Sequence, residues 1–97
     1  MKEFRWNPDK NETLRLERGV SFEEIELTIE QGNLLDIVKH HNHKKYPHQK
    51  MLVVRLREYV YLIPYVEERN YIFLKTIIPS RKAVEFYFGK ESDNEKE

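Results

Sequence analysis

Two rhythms of apolar and polar positions divide this chain. In the first third, Phe22, Ile25 and Ile29 recur at helical spacing and predict the buried stripe of an amphipathic helix. In the second half, alternation takes over. The runs Met51 to Arg57, Tyr59 to Val66 and Tyr71 to Ile78 are rich in β-branched and aromatic residues and read as strands. Leu34 to Lys39 reads as another, and Phe4-Arg5-Trp6 as a short one. Pro64 interrupts the Tyr59 to Val66 run and predicts an edge, a bulge or a strand end there.

Local punctuation sets the boundaries. Asn7-Pro8-Asp9 has the order N-cap, first helical residue, first-turn acid, and opens a helix that runs to Arg18 and stops at Gly19. Ser21 and Glu24 have the spacing of a capping box, with Val20 and Ile25 as its hydrophobic staple, so a second helix starts at once and ends at Gly32. Ser80 stands as N-cap of a last helix over Arg81 to Phe88, followed by Gly89. The tail, residues 90–97, is polar and acidic and is expected to be disordered. The predicted order is strand, two helices, an antiparallel meander of strands, and a short C-terminal helix. This is a single α+β domain over residues 1–89, with helices packed on one face of a sheet of four to five strands.

Alternation also assigns the faces of that sheet, on the assumption that the turn near Glu58 leaves the alternation unbroken. One face carries Leu52, Val54, Leu56, Val60, Leu62, Ile72 and Leu74 and is expected to meet the two helices. The other carries Met51, Val53, Arg55, Arg57, Tyr59, Tyr61, Tyr65, Tyr71, Phe73 and Lys75. Cations hold phosphates and rings stack on unpaired bases, so this face suits single-stranded RNA. Tyr and Arg are equally the residues of a protein interface, and Tyr is in any case a good strand residue.

Charge sharpens the picture. The formal net charge is +0, but it is unevenly spread. Residues 1–38 hold five Lys/Arg against nine Asp/Glu, residues 39–90 hold eleven against four, and residues 91–97 hold one against four. The middle is what a polyanion would meet. Arg81 and Lys82 fall in the first turn of the last helix, where the macrodipole favours acids, and two cations beside free backbone N–H groups suit an anion. With no cysteine there is no disulfide, thiolate nucleophile or zinc-thiolate site. The polar N-terminus and the lack of a long apolar run point to a cytoplasmic protein with no membrane partner. All four histidines fall in HHNHKKYPH, residues 40–48. A metal site there lacks clear third and fourth ligands, so no cofactor is expected, and His40 at a strand end is the one placed for acid–base work.

The opening FRWNPDKNETLRLERGVSFEE resembles the start of BrnT-type toxins, and IIPSRKA resembles the Ser-Ala-Arg-Lys-Ala region that closes their sheet. LLDIVKHHNHKKYPHQ and YVYLIPYVEE resemble a branch of that group with a longer loop. The resemblance spans nearly the whole chain, to about Phe88. It implies a RelE-like fold and a type II toxin–antitoxin module with metal-independent endoribonuclease activity that inhibits translation. It also implies a ribbon-helix-helix antitoxin covering the sheet face in a hetero-oligomer, and RNA as target, ribosome-bound mRNA included. Lys75 and Thr76 stand where typical members carry arginines.

Metal-free RNA cleavage needs a base for the 2′-OH, an acid for the leaving 5′-oxygen and cations for the phosphorane-like transition state. Arg81 and Lys75 are the candidates for charge stabilisation, and His40 or Lys75 for the base. Lys82, Arg55 and Arg57 are candidates to hold the RNA backbone, and Tyr61 or Tyr71 to stack a base. Each has an ordinary alternative: Arg81 can pair with Glu85, and Arg55 and Arg57 with Glu67 or Glu68. A non-catalytic protein-interaction module of the same fold is the competing function, and a metal-dependent enzyme using the histidine loop is a third.

Overall fold

A computed structural model describes residues 2–96, with the side chains of residues 2–89. The order of elements is β1 (Glu3–Trp6), α1 (Pro8–Arg18), α2 (Phe22–Glu30), β2 (Leu34–Lys39), β3 (Gln49–Leu56), β4 (Tyr59–Glu67), β5 (Tyr71–Leu74), β6 (Ile78–Pro79) and α3 (Arg81–Lys96). It is an α+β domain. No helix among the described residues is long and apolar enough to cross a membrane.

The two N-terminal helices form as their caps dictate. The Asn7 side chain accepts from the N–H groups of Asp9 at 2.8 Å and Lys10 at 3.1 Å, satisfying two of the first-turn donors. Gly19 ends α1 at φ 69°, a conformation a Cβ would penalise. Ser21 Oγ accepts from Glu24 N at 3.2 Å, and Asn11 Oδ1 takes the Phe22 N–H at 2.8 Å, tying α1 to the start of α2. Glu24 takes a different role from a capping-box acid: its Oε2 accepts from the Arg57 guanidinium, far along the chain. Val20, Phe22 and Ile25 are fully buried, and Trp6 stacks on Phe22 with centroids 5.5 Å apart.

The structure departs from the expected arrangement in three ways. Its strand order is β1-β5-β4-β3-β2, and β1 runs parallel to β5, with Phe4 opposite Ile72 and Arg5 opposite Phe73. The predicted strand Tyr71 to Ile78 is split into β5 and β6, both paired to β4, and three residues (75–77) face two (63–64) across the break. Pro64 explains the break. It sits in a central strand, but its backbone faces this gap: its carbonyl accepts from Lys75 N at 2.8 Å, and the N–H it lacks is missed by no partner. Finally, α3 continues through Gly89 to Lys96 and is not short. The tail for which disorder was expected, residues 90–97, thus lies in this helix as far as Lys96, with its side chains outside those described.

The largest correction concerns the faces of β4. Arg57 and Glu58 both take positive φ, 52° and 63°, between the paired residues Leu56 and Tyr59. This is the two-residue hairpin turn whose twist matches the strands, built here without its usual Asn-Gly. Leu52, Val54 and Leu56 therefore stand opposite Ile63, Tyr61 and Tyr59. Tyr61, Ile63 and Tyr65 join the helix-side core with Leu14, Phe22, Ile25, Ile72, Leu74 and Ile77. Val60 and Leu62 pair with Arg55 and Val53 and share the other face with them.

That other face is not open throughout, as α3 lies on it and helices cover both sides of the sheet. Ala83, Phe86 and Tyr87 flank an apolar cleft floored by Val38, Met51, Val53 and Leu62. Tyr87 donates its hydroxyl to Asp36 Oδ2 at 3.0 Å, and burial first, then this carboxylate, raises the phenol pKa. The other Asp36 oxygen accepts from Ile37 N at 2.8 Å, beside a register shift in the outer strand β2. Leu35 and Ile37 on β2 remain exposed.

A non-glycine residue at positive φ costs on the order of 1 kcal/mol. Glu58→Gly is therefore expected to stabilise the domain by about 0.5–1 kcal/mol, because the exposed Arg55–Glu58 ion pair it removes contributes little. A denaturant titration reads this as a raised midpoint at unchanged slope.

Candidate nucleic-acid interface

The cations of the basic middle have unequal freedom. Arg57 points from the hairpin turn to the N-terminal helices, donating to Gly19 O at 3.0 Å and pairing with Glu24. Arg55 pairs with Glu58 and lies over the Phe88 ring, its guanidinium carbon 5.0 Å from the centroid. Neither uses Glu67 or Glu68, and both hold the fold together around the turn and α3. Tyr61 is half-buried against the core on the helix side. Of the side chains expected to line an RNA face, Arg57 and Tyr61 are thus directed elsewhere, and Arg55, half-exposed, is engaged by Glu58 and by Phe88 of α3.

A different set does assemble. The half of the α3-side face over β1 and β5 carries Arg5, Tyr71, Phe73 and Lys75. The Arg5 guanidinium carbon lies 4.4 Å from the centroid of Tyr71, and Lys75 Nζ lies 5.4 Å from that of Phe73. Tyr71 and Phe73 are half-buried, while Arg5 and Lys75 are exposed. Glu3 shares the strip and pairs with Arg5 at 3.0 Å. Arg5 escaped the sequence reading because only the parallel β1–β5 pairing brings it here. Its alternation with the apolar Phe4 and Trp6, both half-buried against the core, was the signal that it faces away from the helices.

Near this strip the chain turns into α3. Ser80 caps the helix as predicted, its Oγ accepting from Ala83 N at 3.1 Å, while Ser80 N donates to Val60 O at 3.0 Å. Arg81 and Lys82 follow, both exposed, and no acid occupies the first turn. Lys75 and Ser80 are hydrogen-bonded to β4 four residues apart, at Pro64 and Val60. Their backbones are therefore separated by about 13 Å along the strand. Side chains as long as those of Lys75 and Arg81 can reach neighbouring phosphates of one strand across that distance.

His40 stands apart from both. It follows β2, three strand spacings from the Lys75 line, or about 14 Å. It is 7% exposed, its Nδ1 accepts from Asn42 N at 3.0 Å, and its ring packs on His41 and Tyr46 with centroids at 4.4 and 4.8 Å. Desolvation, then the neighbouring His41, lowers its pKa. His40 is the anchor of the loop between β2 and β3, and the structure does not bring it to the Lys75 and Arg81 side chains. Among the described residues no group of three His, Cys, Asp or Glu is placed to hold a metal ion.

Compared with protein-family models, curated proteins and solved structures, the chain matches none.

The lowered His40 pKa has a sign. The unfolded chain takes up a proton near pH 6.5, and the folded chain does so only at lower pH, so stability is full above that value and falls as pH drops through it. Amide protection factors in residues 40–49, observed exchange corrected for the intrinsic rate at each pH, are expected to fall between pH 7.5 and pH 5.5, and more than in a His40→Gln variant over the same range. Equal pH dependence in the two proteins would remove His40 as the anchor.

Proposed function

We propose that this chain is the toxin of a type II toxin–antitoxin module, an RNA-directed, metal-independent endoribonuclease of RelE-like fold. In this reading it contacts single-stranded RNA with the β1–β5 strip and is neutralised by a ribbon-helix-helix antitoxin. The observation that carries the RNA contact is the alternation of cations and rings, Arg5 on Tyr71 and Lys75 on Phe73. Rings offer stacking to any unpaired base, and the cations neutralise the backbone beside it. The basic first turn of α3 extends this charge. The order strand, two helices, meander and helix, together with the BrnT-like opening and IIPSRKA segments, supports the family reading.

The roles follow from position. Lys75 and Arg81 lie on one side of the sheet and stabilise the charge that develops on the phosphate as the 2′-oxygen attacks and the 5′-oxygen leaves. Lys82 and Arg5 hold the flanking backbone, and Tyr71 and Phe73 stack bases. Arg55, Arg57 and Tyr61 act through the fold.

A second reading, a non-catalytic interaction module, draws on the separation of His40 from the cations. It keeps the strip as a binding surface without acid–base chemistry beside it.

Expression of the chain alone is expected to arrest growth, and a Lys75→Ala/Arg81→Ala copy at equal abundance to relieve the arrest. With purified protein, Tyr71→Ala is expected to weaken single-stranded RNA binding about tenfold, since one base stack contributes roughly 1–3 kcal/mol. Unchanged binding after Arg5→Ala, Tyr71→Ala and Lys75→Ala together would sink the interface. Binding that depends on the strip, without cleavage or arrest, would select the interaction module.

A further inference from the structure

On the same face as α1 and α2, at the end of the hairpin away from the Arg57–Glu58 turn, lies a separate cleft of about 320 Å³ lined by Pro47, His48, Lys50, Tyr65 and Glu67. We propose that this cleft binds a phosphate monoester. Lys50, Lys39 and the Tyr65 hydroxyl hold the phosphate, and the organic part lies against Pro47 with Glu67 free to accept from a hydroxyl. The site faces away from the β1–β5 strip and does not depend on the RNA reading.

Three observations converge on this cleft. Tyr65 has a buried ring and lines the cleft, and its hydroxyl reaches the accessible surface and makes no hydrogen bond to another described residue. Open to the cleft and unpaired within the described protein, the phenol offers a ligand its donor. Lys39 and Lys50 stand directly opposite each other on β2 and β3, and Lys50 is in turn opposite Tyr65 on β4. Like charges in that position repel, and neither lysine forms an ion pair among the described residues. An anion bridging the row converts the repulsion into attraction. His48 adds an exposed imidazole at the lining of the same cleft.

The surroundings favour an ester over a bare anion. Glu67 would repel an isolated phosphate, but its carboxylate is already engaged by Lys2 at 2.9 Å, which holds its pKa down through a hydrogen bond and charge, with a smaller effect of Lys50. It remains able to accept from a neutral hydroxyl. Pro47 gives an apolar wall, and the cleft is larger than a phosphate needs. Burial first, then the Glu67 charge, raises the Tyr65 pKa, so its hydroxyl is a donor at neutral pH.

Calorimetry and histidine-resolved NMR with uridine 5′-monophosphate, inorganic phosphate and uridine test the site. The monophosphate is expected to bind saturably and several-fold more tightly than phosphate, with no saturable binding of uridine. Lys50→Gln and Lys39→Gln are each expected to weaken it about tenfold, as loss of a charged hydrogen bond does. Tyr65→Phe, which keeps the buried ring, is expected to weaken it without lowering the melting temperature. Lys44→Gln, on the exposed loop, is expected to change nothing.

No saturation at millimolar ligand, equal loss in Lys44→Gln, or full affinity in Lys50→Gln and Tyr65→Phe would overturn the proposal. Equal affinity for phosphate and its ester would overturn the monoester assignment in favour of free phosphate. A Lys39→Gln protein that melts lower than wild type without ligand would remove the strained lysine pair on which the argument rests.

Discussion

The Arg57–Glu58 turn is the constraint on which the rest of this domain depends. Two residues at positive φ set the register of β3 against β4, and that register decides which side chains meet α1 and α2. A loop one residue shorter or longer would exchange every β4 side chain between the faces. The turn is also braced from outside. Arg57 reaches Gly19 at the end of α1 and Glu24 in α2, so the hairpin tip and the helix pair are joined by one guanidinium. A turn sequence without glycine or asparagine is thereby held by tertiary contacts.

The same turn explains what was legible in the sequence. Both N-terminal helices were readable because their signals are local: Asn7, Gly19 and Ser21 act within a few residues of themselves. Ser80 was readable for the same reason. The faces of β4 were not, because Arg57-Glu58 carries no local mark of a two-residue turn and its positive φ values depend on partners far along the chain. The strip over β1 and β5 was half legible. Tyr71, Phe73 and Lys75 followed from alternation, but Arg5 joins them through a pairing of strands at opposite ends of the chain. Gly89 read as a helix stop, but its φ is not in the left-handed region and the helix passes through it.

Charge that looks uniform in sequence is sorted by the fold. Arg55 and Arg57 are spent on structure, one beside α3 and one at the turn. Arg5 and Lys75 lie on rings at the open side of the sheet, while Lys39 and Lys50 face each other at its far end on the opposite side. The basic middle is therefore not one patch but separate clusters with different neighbours. Arg5 and Lys75 sit on two neighbouring rings of one strand, while the Lys39–Lys50 row has the Tyr65 side chain as its next neighbour.

The parallel pairing of β1 with β5 has a consequence in time. Arg5 leaves the ribosome well before its neighbours Tyr71 and Phe73, which lie far along the chain from it. Until then β1 has no strand to join, and the rings and cations of the strip are not side by side. The nascent chain is thus built without its strip, and the surface comes together only once β5 has followed β1.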